Sequence, residues 1–354
     1  MSSTVLPSPF PDVRPFETAQ LQSFSFKKLL EQDEAELTRL LAAGETDGFF
    51  YLDISGPESC GLWEDYQGVL ATMKKFFALP LDEKVPFAYG SDTQGYKPIG
   101  TQTGATENSR DGFETIRVAM DGLDRAADPL PPTVLNEKAL FNDFISKTRV
   151  HVKTILSAFS TAISLEGEER YEVAHDDNKP SNSSMTFHRY LARHTRDESN
   201  VGHNKHTDIS SIAFLFAQQW GLQVPAPSRA TGAAVGAESD GWVWVRPKPG
   251  FAICNIGDSL RFLSGMRLRS VLHRVVPVPE METNHRYSIA YFTRPAHGTM
   301  FRDSEGRLIA CDEWFSHKFD VYRASHAEQR QNTILTGGIE TAEQRARAVT
   351  SIAA

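Results

Sequence analysis

Residues 206–224 read HTDISSIAFLFAQQWGLQV, and this stretch decides the expected fold class. A histidine and an aspartate two positions apart precede an aliphatic and aromatic run, ISSIAFLFA, and a second run, GLQV, follows after a polar break. Short runs rich in β-branched and aromatic residues, separated by turn residues, predict strands. The stretch therefore indicates antiparallel β-structure with chemically competent side chains at the start of a strand.

The same pattern of short apolar runs between turn residues extends across the second half of the chain, from about residue 183. Five further runs share it: SMTFHRYLA, GWVWVRP, FAICNIG, VLHRVVPV and HRYSIAYFT. Closely spaced short strands of this kind predict an antiparallel sandwich or barrel. An Ala, Gly and Ser-rich insertion at 225–241 interrupts them. We expect it to be flexible and to act as a substrate-side lid, the alternative being a tolerated surface insertion.

The first half of the chain is predicted to be largely helical. Helical spacing of apolar residues covers 27–43, about 61–78 and around 133–166, and closing helices are expected after 311. The run DGFFYLDIS reads as a buried strand, and the Gly/Thr-rich segment 90–112 is expected to hold no regular element. The predicted organisation is one structural unit in four parts: an arm (1–16), an N-terminal region (17–180), the β core (181–300) and C-terminal helices (301–354).

Composition narrows the class of partner. The net charge of the 354-residue chain is −8 and no basic block stands out, so nucleic acid is not an expected partner. Cys60, Cys254 and Cys311 form no CxxC pair, which fits a reducing compartment. With no signal-peptide pattern and no apolar run near the roughly 20 residues of a membrane span, we expect a cytoplasmic protein without membrane contact.

His206 and Asp208, together with the distant His273, are the candidate metal ligands. On a strand, positions i and i+2 point to one face, so the first two side chains converge and a second strand can supply the third. Two imidazoles and one carboxylate with open positions form the facial triad of non-haem Fe(II) oxygenases. On spacing alone, surface polar residues remain the alternative. His203 could compete as a ligand, and the second HxD, at His175, is interpreted as a solvated turn.

Arg286 and Ser288 form the second candidate pair, on the run HRYSIAYFT. They share one strand face, where a planar guanidinium with a neighbouring hydroxyl matches a carboxylate. The alternatives are a salt bridge for the arginine and a small core residue for the serine. An arginine that faces a barrel interior would be costly without an anion, and a bound dicarboxylic acid would supply one. In the motif NIGD, Asn255, Gly257 and Asp258 are interpreted as a tight turn with the glycine at positive φ.

Taken together, these motifs resemble the isopenicillin N synthase-like branch of the 2-oxoglutarate/Fe(II) dioxygenases. The similarity covers about 45–297. It is carried, in order, by DGFFYLDIS, FFALPLDEK, QGYKPIG, RDGFET, HTDISSIAFLFAQQWGLQV, WVWVRPKPGFAICNIGDSLRFLSGMRLRSVLHRVV and HRYSIAYFTRP. The resemblance implies a mainly β fold with flanking helices (α+β), built on a double-stranded β-helix or jelly-roll core.

The resemblance also implies roles for individual residues. His206, Asp208 and His273 would bind iron, and Arg286 and Ser288 would hold the distal carboxylate of 2-oxoglutarate. Tyr190 stands where the family often has a tyrosine that contacts the cosubstrate. The chain departs from the family pattern around that tyrosine, with a histidine two positions before it and a leucine after it. The resemblance therefore supports a cosubstrate contact by Tyr190 less strongly, and a role as a core aromatic residue is the alternative.

The implied reaction uses Fe(II), O₂ and 2-oxoglutarate, with ascorbate as an optional stimulant, and yields succinate, CO₂ and an oxidised small molecule. Hydroxylation, desaturation or rearrangement would all fit. The general character of the sequence resembles that of fungal members of the family, so we expect a natural-product intermediate as substrate. An Fe(II) oxidase of the same fold that needs no 2-oxoglutarate is the alternative enzyme, and a non-catalytic jelly-roll binding module is the alternative of another class. The sequence leaves the oligomeric state open.

Overall fold

A computed structural model describes residues 17–88, 91–104, 109–120, 123, 130–192, 202–226, 241–276, 278 and 284–340. Their largest element is an eight-stranded sheet that takes strands from both halves of the chain. Its strands, in spatial order, are β1 (Ser23–Ser25), β2 (Phe49–Asp53), β10 (Phe251–Ile256), β7 (Ile212–Phe216), β12 (Arg286–Thr293), β5 (Ser184–Tyr190), β4 (Phe113–Ala119) and β3 (Gly95–Lys97). Apart from the parallel β1–β2 pair, the neighbours run antiparallel.

A smaller sheet faces the large one and completes the jelly roll. Its strands, in order, are β6 (His203–His206), β11 (His273–Val275), β8 (Leu222–Pro225) and β9 (Trp242–Trp244). A separate hairpin of β13 (Met300–Arg302) and β14 (Leu308–Ala310) precedes the closing helices. The predicted antiparallel core with flanking helices is therefore confirmed.

The described helices cover mainly the outer face of the large sheet. They are α1 (Phe26–Leu30), α2 (Glu34–Thr46), α3 (Leu62–Ala78), α4 (Leu81–Lys84), α5 (Pro132–Leu135), α6 (Lys138–Ala162), α7 (Asp258–Leu263), α8 (Cys311–Arg323) and α9 (His326–Gln331). None of these helices combines the length and the apolar character that crossing a bilayer requires.

Strand alternation separates two cores. On β2, Phe50 and Leu52 point outward into the large cluster that the sheet forms with α2, α3 and α6, whereas Phe49 and Tyr51 point inward to the space between the sheets. Successive strand side chains point to opposite faces, so the near-continuous apolar run serves both cores at once. The inward face is therefore the one that can carry a site.

Three local expectations need correction. The helix expected at 27–43 is two helices, because Gln32 adopts φ 54° and the Asp33 carboxylate then accepts from the Glu36 amide as the N-cap of α2. The helix expected around 133–166 is α5 followed by α6, which ends at Ala162. The segment 90–112 does contain a strand, β3, which pairs with β4.

The predicted insertion at 225–241 lies mostly outside the described residues, which stop at 226 and resume at 241. The division into four parts stays a prediction. The large sheet joins strands from the predicted N-terminal region and the predicted core, so these two regions share one structural unit.

A buried ion pair fastens helix α8 to the core. The Lys318 ammonium on α8 donates to Asp258 Oδ2 at 2.5 Å and to Thr207 Oγ1 at 2.6 Å, and all three residues are 0% exposed. The Thr207 amide also donates to the Leu335 carbonyl at 3.2 Å. The chain between His206 and Asp208 is thus held from the C-terminal side.

Lys318→Met should lower the free energy of unfolding by about 3–5 kcal/mol, because it leaves the Asp258 carboxylate buried without its cation. Urea denaturation measures the change. The control is Lys153→Met, which removes an ion pair to Asp177 that is more than one-third exposed and should cost no more than about 1 kcal/mol. A Lys318→Met protein as stable as the control variant would contradict the role assigned to the pair.

Candidate metal centre

Pairing of β6 with β11 brings the predicted His–Asp–His residues together. His206 and His273 are directly opposite in register, and their ring centroids are 4.3 Å apart. Asp208 Oδ1 lies 3.7 Å from His206 Nε2 and 3.6 Å from His273 Nε2. One ligand atom from each residue falls within 4.8 Å of the others, and all three residues are buried. β6 ends at His206, so Asp208 follows the strand instead of sharing its face as expected, yet it still converges.

Backbone hydrogen bonds fix the two imidazoles in the tautomer that a metal requires. His206 Nδ1 lies 2.7 Å from the Asn204 carbonyl, and His273 Nδ1 lies 3.1 Å from the Val271 carbonyl. A carbonyl can only accept, so each Nδ1 carries the hydrogen and each Nε2 lone pair points at the cluster. Donation from the second ring nitrogen is the usual support of a metal-bound histidine.

Asn255 orients the carboxylate of the cluster. Its side-chain amide donates to Asp208 Oδ2 at 2.7 Å and leaves Oδ1 facing the imidazoles. The turn interpretation of NIGD is wrong, because Asn255 belongs to β10 and Asp258 begins α7. Gly257 has φ −100°, not a positive value. A Cβ there would collide with the Ser210 carbonyl oxygen, so close approach of the backbone explains the glycine.

The electrostatics of the cluster match the needs of a cation. Burial opposes ionisation of Asp208, but the charge of His273 and the close approach of both imidazoles hold its pKa well below the usual value. Burial, followed by the charge of His273, lowers the pKa of His206. Burial also acts against the charged form of His273, but Asp208 outweighs it and raises that pKa. An ionised carboxylate beside a neutral imidazole is the state that binds a divalent metal.

Two other histidines are relevant to the ligand assignment: His203, the alternative ligand, and His175, in the second HxD motif. His203 stacks on His206, with ring centroids 4.3 Å apart, and is not part of the metal-competent cluster found among the described residues. The turn expected around His175 is present, but the histidine itself is not solvated, because it is only 5% exposed. Its Nε2 lies 2.7 Å from Ser211 Oγ and its Nδ1 2.5 Å from the Tyr171 carbonyl, which makes it a structural tie.

The predicted Arg286, Ser288 and Tyr190 line one cavity with the cluster. Arg286 Nη1 lies 3.4 Å from Ser288 Oγ, and its guanidinium carbon lies 4.9 Å from the centroid of the Tyr190 ring. Its Nε donates to the Trp220 carbonyl at 2.8 Å, an approach that needs Gly221, since a Cβ there would lie 2.7 Å from that Nε. No described aspartate or glutamate forms an ion pair with Arg286, so the cavity pairs a cation with a metal-competent cluster and can take an anion between them.

His188 is a site residue whose position the sequence marked only as a departure from the family pattern. It lies opposite Ser288 in register and lines the same cavity. Burial, with the charges of Arg117 and Arg286, lowers its pKa to about 3, so the ring is neutral. Its Nδ1 is buried and has no hydrogen-bond partner among the described residues. The nitrogen is therefore available to a ligand in the cavity.

The chain matches known protein families over most of its length. Residues 182–295 match the family described as the 2OG-Fe(II) oxygenase superfamily. Residues 18–132 match the one described as the non-haem dioxygenase in morphine synthesis N-terminal.

Curated relatives and solved structures agree with this match. The 2-oxoglutarate-dependent dioxygenase FG08081 of Gibberella zeae is 38% identical over 96% of this chain and 98% of its own length. The 2-oxoglutarate-dependent dioxygenase gloE of Glarea lozoyensis is 38% identical over 93% of this chain and 95% of its own. A full-length Neurospora crassa protein crystallised in complex with alpha-KG and thymine superposes with a TM-score of 0.67 at 22% identity, covering 87% of this chain and 98% of that one. The chain belongs to the 2OG-Fe(II) oxygenase superfamily and is a 2-oxoglutarate-dependent non-haem iron dioxygenase.

Proposed function

We propose that His206, Asp208 and His273 hold the catalytic Fe(II). The observation that carries this assignment is the convergence of two Nε2 atoms and one carboxylate oxygen across the β6–β11 pair. Two imidazoles and one carboxylate suit Fe(II) and leave coordination positions open for ligands other than protein. Asn255 would act on the iron through Asp208, by holding the second carboxylate oxygen.

Arg286, Ser288 and Tyr190 would bind the distal carboxylate of 2-oxoglutarate. The guanidinium supplies charge-assisted donors, the serine a hydroxyl, and the tyrosine ring packs against the guanidinium face. Bound iron, 2-oxoglutarate and O₂ supply the oxidising chemistry, in which decarboxylation to succinate and CO₂ is coupled to oxidation of a substrate. The chain itself orients the cosubstrate and keeps the centre dry, since the three cluster residues are each less than 8% exposed.

The substrate is proposed to be a small organic molecule, and a fungal natural-product intermediate in particular. The two curated relatives described above come from fungi, and the Neurospora crassa crystal structure holds thymine, a small molecule. Hydroxylation, desaturation and oxidative rearrangement remain the candidate outcomes. Three unpaired cysteines, one of them exposed, support a reducing location such as the cytoplasm.

Asp208→Ala and His273→Ala should each abolish tight iron binding and succinate formation, because each removes one of only three protein ligands. Iron content by elemental analysis and succinate formation from 2-oxoglutarate are the measurements. The control is His317→Ala, which removes an exposed histidine of α8 and should leave both unchanged. His175→Ala should lower the melting temperature without loss of iron. Full iron content in His273→Ala would contradict the ligand assignment.

Asn255→Ala should weaken metal affinity roughly 10–100-fold, because residues that orient a metal ligand contribute at that level. Competition between the protein and a chelator for Co(II) measures the affinity without any turnover. Asn255→Gln retains the amide at a different reach and should be intermediate. An Asn255→Ala protein with wild-type affinity would show that Asp208 needs no such support.

Arg286→Ala should raise the KM for 2-oxoglutarate far more than the KM for the organic substrate. Loss of a charge-assisted pair to a buried carboxylate costs on the order of 2–5 kcal/mol. Arg302→Gln, on the exposed β13–β14 hairpin, is the matched control. Turnover in the complete absence of 2-oxoglutarate would sink the cosubstrate assignment.

A further inference from the structure

A second cavity opens on the other side of the His–Asp–His cluster. It shares His188, His206 and Asp208 with the cosubstrate cavity and extends from them toward α8, where Phe319 and Tyr322 close it. Its space, with the open mouth included, is about 580 Å³. This cavity reaches His206 and Asp208 but is not lined by Arg286, so it offers space for an organic substrate apart from the cosubstrate carboxylate.

Arg294 lies in the wall of this second cavity, and it continues the alternation of inward-facing positions that begins at Arg286. Arg286, Ser288, Ala290 and Phe292 occupy alternate positions of β12 and line the cosubstrate cavity; Phe292 and then Arg294 line the second one. The two arginines are separated by roughly 26 Å along an extended chain. One strand face thus ends in a cation on each side of the cluster.

The Arg294 guanidinium is only partly satisfied by the protein. The residue is 8% exposed. Its Nη1 donates to the Asn182 carbonyl and lies 3.4 Å from Ser184 Oγ. Its buried Nε has no acceptor among the described residues, and no described aspartate or glutamate forms an ion pair with it. The Nε–Nη2 edge is the fork that a carboxylate binds with two parallel hydrogen bonds, and here it is left for a ligand.

Arg117 places a second guanidinium on the same wall. It lies opposite Thr186 in register, on the inward face of β4, and is 9% exposed. Its Nη1 donates to the Asp92 carbonyl at 3.1 Å, and its guanidinium carbon lies 5.2 Å from the Phe319 ring centroid. Burial and, next, the charge of Arg117 lower the pKa of Arg294 to about 9. Two like charges therefore face one cavity.

The acidic residues that the structure describes in this wall are already engaged. The Asp92 carboxylate pairs with Arg323, and Asp208 belongs to the metal-competent cluster. Burying a cation such as Arg294 without a counter-ion is costly. The arrangement therefore favours a ligand that brings negative charge.

We propose that the organic substrate is a carboxylic acid, whose carboxylate binds Arg294 and Arg117 while its oxidisable carbon lies beside the His–Asp–His cluster. This inference rests on the proposed function, since it assigns the substrate of that same centre. The protein then separates two acids by position: 2-oxoglutarate binds at the Arg286 end of the β12 face, and the substrate acid at the Arg294 end.

The test compares carboxylic acids with their own primary amides, which have nearly the same shape and no charge. Benzoate, phenylacetate and hexanoate are titrated against benzamide, phenylacetamide and hexanamide by calorimetry. The protein carries Mn(II) and is saturated with 2-oxoglutarate, so that the cosubstrate subsite is filled and binding is measured without turnover. We expect at least one acid to bind about tenfold more tightly than its amide, the value of one or two charge-assisted hydrogen bonds.

Variants assign that preference to the two arginines. Arg294→Gln should reduce the difference between acid and amide to less than about threefold, Arg117→Gln should reduce it as well, and Arg294→Lys should retain part of it. Arg302→Gln is the matched control and should keep the full preference. If Arg294→Gln does not fold, Arg117→Gln and the wild-type comparison still decide.

Two results would overturn the proposal. In the first, each amide binds the wild-type protein as tightly as its acid does. In the second, Arg294→Gln keeps the full preference for the acid over the amide. Either result, in a protein that still binds 2-oxoglutarate, rejects the acidic substrate alone. Failure of the wild-type Mn(II) protein to bind 2-oxoglutarate would instead reject the proposed function.

Discussion

The pairing of β6 with β11 is the constraint on which the reaction centre depends. It places His206 opposite His273, and with that contact fixed, one carboxylate just beyond the strand end completes the cluster. The same pairing turns each Nδ1 toward a carbonyl of its own chain segment, so strand geometry sets the tautomer as well as the position. A slip of one residue would point one imidazole away from the interior, because strand side chains alternate.

The inward face of β12 gives the interior its chemical character. Arg286 and Arg294 bracket that face, and Arg117 adds a third guanidinium from β4. Neither Arg286 nor Arg294 forms an ion pair with a described acidic residue, although burying an ion costs several kcal/mol of hydration, to order of magnitude. The two buried arginines therefore favour ligands that carry negative charge, one at each end of this face, with the metal-competent cluster between them.

Local sequence patterns predicted what depends on local geometry. The short runs of β-branched and aromatic residues predicted most strands, and the spacing of His206 from Asp208, together with the family resemblance, indicated the cluster. Asn255 was missed as a partner of Asp208 because only the β10–β7 register shows that its amide reaches the carboxylate. The burial of His175 was missed for the same reason, since it depends on Ser211, 36 residues away. Arg294 did carry a usable signal: it continues the alternation of Arg286.

Helix α8 takes part in the site although it contributes no residue to the cluster. Lys318 holds the Thr207 hydroxyl, and Leu335 accepts from the Thr207 amide, so the residue between the two candidate ligands is fixed on both its side chain and its backbone. α8 also supplies Phe319 and Tyr322 to the second cavity. One helix thus contacts both the residue between the two candidate ligands and the cavity proposed for the substrate.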